Sequence, residues 1–118
     1  MIHDEKEIRW VGTSYEDLLE FPKEPRREAG FQLGKVQVGL DVTDWKAFDE
    51  VGAGSKEIRV NVESGIFHTL YFAKFEEAIY VLQCFQKKTQ ATSKKDKTIA
   101  EARYRAVLNL RKTGKAQK

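Results

Sequence analysis

The sequence predicts an α+β domain, an antiparallel sheet with helices packed on one face. Three observations carry that expectation. Apolar residues recur at helical spacing before about Leu40 and alternate at strand spacing after Trp45. Proline, glycine and small polar clusters separate the periodic segments in the order β-α-α-β-β-β-β-α. No internal repeat or interdomain linker interrupts them, so the expectation is one domain over residues 1–118, with 112–118 a frayed polar tail.

The elements follow in order. "EIRWVG", Glu7 to Gly12, reads as a short strand. In "TSYEDLLEFP", Thr13 or Ser14 caps a short helix, Glu16 and Asp17 suit its first turn, and Pro22 ends it. Pro25 opens a second helix, on which Ala29, Leu33, Val36 and Leu40 form an apolar stripe. Trp45 to Val51 suggests a strand closed by a glycine turn. "KEIRVNVES" alternates, with Ile58, Val60 and Val62 on one side and Glu57, Arg59, Asn61 and Glu63 on the other. "GIFHTLYFAKF" follows a two-residue hairpin turn, Ser64-Gly65. "AIYVLQCFQKK" is apolar on both faces and therefore internal to the sheet. Thr92 or Ser93 caps a last helix, with Asp96 three residues after Ser93 in the manner of a capping box, and its stripe is Ile99, Ala102, Ala106 and Leu110.

Composition narrows the functional classes. Net charge is +3, yet residues 86–118 hold eight Lys and three Arg against Asp96 and Glu101. A basic C-terminal third points to a polyanion or an acidic partner; a solvated helix face explains it equally well. Cys84 is the only cysteine and lies in an apolar run, which favours a buried structural thiol. His3 and His68 lie far apart with no ligand spacing, so neither a metal nor another cofactor is expected. The charged N-terminus and the lack of a long apolar run predict a cytoplasmic protein with no membrane partner.

The hairpin selects candidate site residues. With Ser64-Gly65 as the loop, Asn61 faces His68, and Arg59, Asn61 and His68 share one surface. Ile58, Val60, Val62, Phe67 and Tyr71 share the other, the core face beneath the helices. The last strand brings Gln86, Lys87 and Lys88 toward the first surface. Cations and an imidazole without a carboxylate pair suit a phosphodiester and not a glycoside; no nucleotide-binding glycine motif occurs. Metal-free RNA cleavage needs a proton acceptor for the 2′-hydroxyl, a donor to the leaving oxygen, and cations around the phosphorane. His68 suits acid–base work and Arg59, Lys87 and Lys88 the charge. The competing explanations are a histidine satisfied within the sheet and lysines that serve solubility.

"EIRV" (57–60), "SGIFHTLYFAKF" (64–75), "YVLQCFQKKTQATSKKD" (80–96), "IAEARYR" (99–105) and "WVGTSYEDLLEFPKEPRREAGFQL" (10–33) resemble the phage-associated, HigB-like branch of the RelE/ParE toxin superfamily. The resemblance implies a RelE-like fold, with two N-terminal helices on a twisted antiparallel sheet and a C-terminal helix. It implies the toxin of a type II toxin–antitoxin pair, an mRNA endoribonuclease that acts in the ribosome. Its partners would be messenger RNA, the ribosome and a cognate antitoxin, often a helix-turn-helix protein through which the pair reaches operator DNA. Carried over by position, Arg59, Lys87 and Lys88 match the family's basic residues, while His68 stands where a typical member has arginine. Tyr71, from the same context, could be catalytic, but the register places it on the core face, so the expectation is core packing with a reachable hydroxyl. Asn61, Gln86, Gln90, Lys94 and Lys95 would line the RNA path. The alternative is a non-catalytic or gyrase-directed member silenced by the same antitoxin.

Overall fold

A computed structural model describes residues 5–87 and 92–116. The elements are β1 (Glu7–Trp10), α1 (Ser14–Leu19), α2 (Lys23–Gln37), β2 (Trp45–Ala47), β3 (Ser55–Val62), β4 (Gly65–Phe72), β5 (Ala78–Lys87) and α3 (Lys94–Ala116). This is the predicted order. The sheet has five strands in the order β1-β5-β4-β3-β2. It is mixed and not purely antiparallel: β1 runs parallel to β5, with Glu7 opposite Ala78 and Trp10 opposite Val81. The excursion through α1, α2 and three further strands lets the first strand return beside the last in the same direction.

The helices occupy both faces, which corrects the one-face expectation. α1 and α2 cover a core of Leu18, Phe21, Ala29 and Leu33 against Ile58, Val60, Phe67, Tyr71, Ile79, Val81 and Cys84. α3 covers a second core, where Ala100, Tyr104 and Val107 meet Leu70, Phe72, Tyr80, Leu82 and Phe85. A large apolar side chain buried this way contributes roughly 1.5–3 kcal/mol. The run "AIYVLQCF" is apolar throughout because β5 lies between two covered faces.

Local details shift several boundaries. α2 begins at Lys23 with Pro22 as its N-cap, so Pro25 sits inside the first turn, where its missing N–H has no intrahelical acceptor to lose. Gly39, at φ 80°, ends that helix before Leu40, which is exposed and off the stripe. β2 is only three residues long; Phe48 and Val51 leave it to pack under α3. On α3 the buried stripe is Ala100, Tyr104 and Val107, one face over from Ala102, Ala106 and Leu110, and Leu110 is 72% exposed. Tyr104 sets that rotation: its ring packs on Phe72, and its hydroxyl donates to the Ala53 carbonyl at 2.6 Å. Of the two candidate caps Ser93 is the one used, its Oγ accepting from the Asp96 N–H at 3.1 Å and donating to the Asp96 carboxylate at 2.8 Å. α3 continues to Ala116.

Candidate functional site

The β3–β4 hairpin turns on Glu63-Ser64, with Val62 opposite Gly65, one residue earlier than the sequence predicts. A loop of unchanged length displaced by one residue moves each partner by two positions. Alternation has period two, so the faces survive. Arg59 lies opposite His68, and Asn61 opposite Ile66. On β5, Lys87 lies opposite Ile66 and Phe85 opposite His68, so Lys87 reaches the same face.

That face is not open across its width, because α3 covers part of it. His68 is 2% exposed and Lys87 7%. Both surround a residue that sequence reasoning missed, Glu57, whose side chain is fully buried. His68 Nδ1 lies 3.2 Å from Glu57 Oε1, off the line of an ideal hydrogen bond. Lys87 Nζ lies 3.7 Å from Oε2, and Thr92 Oγ1 donates to Oε2 at 3.1 Å. Burial pushes the Glu57 carboxyl up, but His68, Lys87 and the Thr92 hydroxyl together hold it below its ordinary value. Burial lowers the Lys87 ammonium from its ordinary value; Glu57 opposes that shift, and nearby Lys46 and Arg59 reinforce it. The His68 ring stacks on Phe85 at 5.3 Å with 12° between planes.

Arg59 stands at the solvent edge. Its Nη2 donates to Asp44 Oδ1 at 2.9 Å, a pair with side chains 38% and 46% exposed. A pocket of about 240 Å³ is lined by Asp44, Arg59, Asn61, Ile66 and His68. Among the described residues, Arg59 Nε and both ring nitrogens of His68, two of the lining residues, are buried polar atoms without a hydrogen-bond partner. Native structures pair such atoms with few exceptions, so Arg59 Nε and His68 Nε2 make this pocket the candidate place for a polar ligand. Of the predicted residues, Arg59, Asn61, His68 and Lys87 come together. Gln86 does not: it lies opposite Phe67, and its amide donates to the Ser64 carbonyl at 3.1 Å. Lys94 and Lys95 are exposed on the first turn of α3. Lys88 and Gln90 lie outside the described residues.

Other expectations meet the structure directly. Cys84 is a buried thiol beside Thr69, and burial pushes it up to about 12. Tyr71 packs in the α1–α2 core, 3% exposed, where burial pushes its hydroxyl up to about 12. Among the described residues no group of three or more His, Cys, Asp or Glu is placed to hold a metal ion. No helix among them is long and apolar enough to cross a membrane.

Fold and site together define a small α+β domain with cationic side chains gathered around a buried carboxylate–imidazole pair. The chain belongs to the family described as phage derived protein Gp49-like (DUF891), which matches residues 16–105. The match includes every pocket-lining residue. No curated protein matches the chain.

Proposed function

We propose that this protein is the toxin of a type II toxin–antitoxin pair, with a RelE-like fold, and that it cuts messenger RNA in the ribosome. The observation that carries the reading is a pair of nitrogens, Arg59 Nε and His68 Nε2, that lie beside one pocket and have no hydrogen-bond partner among the described residues. A guanidinium and an imidazole nitrogen are what an RNA phosphodiester and its neighbouring 2′-hydroxyl require. The 2′-oxygen bonds to phosphorus, its proton passes to His68 Nε2, and the bond to the 5′-oxygen breaks as that oxygen takes a proton from water. Arg59 stabilises the crowded phosphorane, and Lys87 and Lys46 add positive potential behind it. Asn61, exposed on the pocket rim, offers its amide to a sugar or base. The chemistry draws its nucleophile from the substrate and so needs no metal. The proposed partners are messenger RNA, the ribosome and a cognate antitoxin, with the cytoplasm as the site of action.

One observation favours a second reading, a non-catalytic or gyrase-directed member. Asp44 already occupies Arg59, and His68 is almost wholly buried. Induced expression followed by primer extension on a reporter message separates the two. New 5′ ends inside codons, lost in Arg59→Ala, support the nuclease. DNA damage with intact messages, or growth without defect, overturns it.

A further inference from the structure

The carboxylate of Glu57 divides its two oxygens between different tasks. Oε2 is held by Thr92, which immediately precedes the α3 cap, and by Lys87 at the end of β5. Oε1 is left for His68 Nδ1. The parallel stack on Phe85 fixes the plane of the imidazole, and its cross-strand position opposite Arg59 sets it beside the pocket. A buried carboxylate next to one ring nitrogen favours the proton on that nitrogen, because an unprotonated Nδ1 would set a lone pair against a negative oxygen. The remaining nitrogen, Nε2, is then an acceptor; among the described residues neither ring nitrogen has a partner in hydrogen-bond geometry, and Nδ1 is the one with a carboxylate beside it.

We propose that Glu57 is a positioning residue: it holds the proton of His68 on Nδ1 and presents the Nε2 lone pair to a hydroxyl-bearing ligand in the Asp44–Arg59–Asn61 pocket. Its role as the orienter of a general base rests on the nuclease reading; the tautomer itself does not. When Nε2 takes a proton from the ligand hydroxyl, the imidazolium that forms faces Glu57, which stabilises it. Lys87 and Arg59 oppose that charge, so the carboxylate must offset both. Glu57 is already desolvated and lies 3.2 Å from the ring, which strengthens its attraction for that charge.

Long-range ¹H–¹⁵N spectra of the intact protein test this without any assay of cleavage. The expected spectrum has His68 Nδ1 in the protonated range and Nε2 in the unprotonated range. In Glu57→Gln, the neutral amide weakens the preference, and both nitrogens move toward the averaged position of two exchanging tautomers. A wild-type spectrum with the proton on Nε2 overturns the proposal, as does a folded Glu57→Gln with unchanged His68 shifts. If Glu57→Gln does not fold, the wild-type spectrum decides alone. In a cleavage assay, Glu57→Gln should lower kcat by about tenfold to a hundredfold with little change in KM. A wild-type protein that holds the Nδ1 proton yet cuts no message defeats the nuclease reading and leaves the positioning intact.

Discussion

Asp44 competes for the cation that a phosphate would need. Its carboxylate meets Arg59 at 2.9 Å, yet both side chains reach solvent. An exposed ion pair of this kind is worth roughly 0–1 kcal/mol, so an RNA phosphodiester, which offers Arg59 an anion of equal charge with two acceptor oxygens, can displace it. Asp44→Asn should therefore bind a short RNA several-fold more tightly in fluorescence anisotropy, with a stability loss under about 1 kcal/mol by urea titration. Weaker binding would show that Asp44 orients Arg59 instead of blocking it. Arg59→Ala should lower cleavage by about 10²–10³ while the urea midpoint stays within experimental scatter. At this scale the shared face of Arg59, Asn61, His68 and Lys87 was legible, because strand alternation assigns faces even when the turn is displaced by one residue. Glu57 was not legible. It alternates with Arg59 and Asn61 as any outward polar residue would, and its burial depends on Thr92 and Lys87 from distant segments. The available signal was an acid on the same strand face as a histidine.

At the scale of elements, α3 is held by its cap and by Tyr104. Ser93→Ala removes the acceptor for the Asp96 N–H and should cost about 1 kcal/mol in denaturant unfolding. Gly52 carries a sharper constraint: a Cβ there would lie 2.4 Å from the Tyr104 ring. Gly52→Ala should destabilise by about 1–3 kcal/mol, and Tyr104→Phe should be milder because it keeps the ring and loses only the bonds to Ala53 and Lys74. Equal losses in the two variants would locate the constraint in the hydroxyl. The sequence disclosed that α3 exists and where it starts, since a capping box is local chemistry. Which stripe turns inward was decided by one aromatic ring meeting a glycine far away in the chain, and apolar spacing alone favoured the wrong face.

For the whole molecule, the buried charge cluster links fold to pH. Glu57 has its folded value held below the ordinary 4.5. Its contribution to stability is therefore fully present above that value and is lost as pH falls through the folded one. Urea midpoints should drop on acidification below about pH 4.5 more steeply in the wild type than in a folded Glu57→Gln. Parallel curves would show that other carboxylates govern acid unfolding. The parallel edge and the two-sided helix packing were hidden from the sequence for one reason: both rest on pairing between segments far apart in the chain.

The place of β1 beside β5 has a kinetic consequence. Arg9 of β1 hydrogen-bonds Tyr80 of β5, a partner 71 residues further along. During synthesis the first strand must wait, unpaired, until nearly the entire β-layer has left the exit tunnel. Closing so large a loop delays the step in which β1 joins the sheet until after β5 has been made.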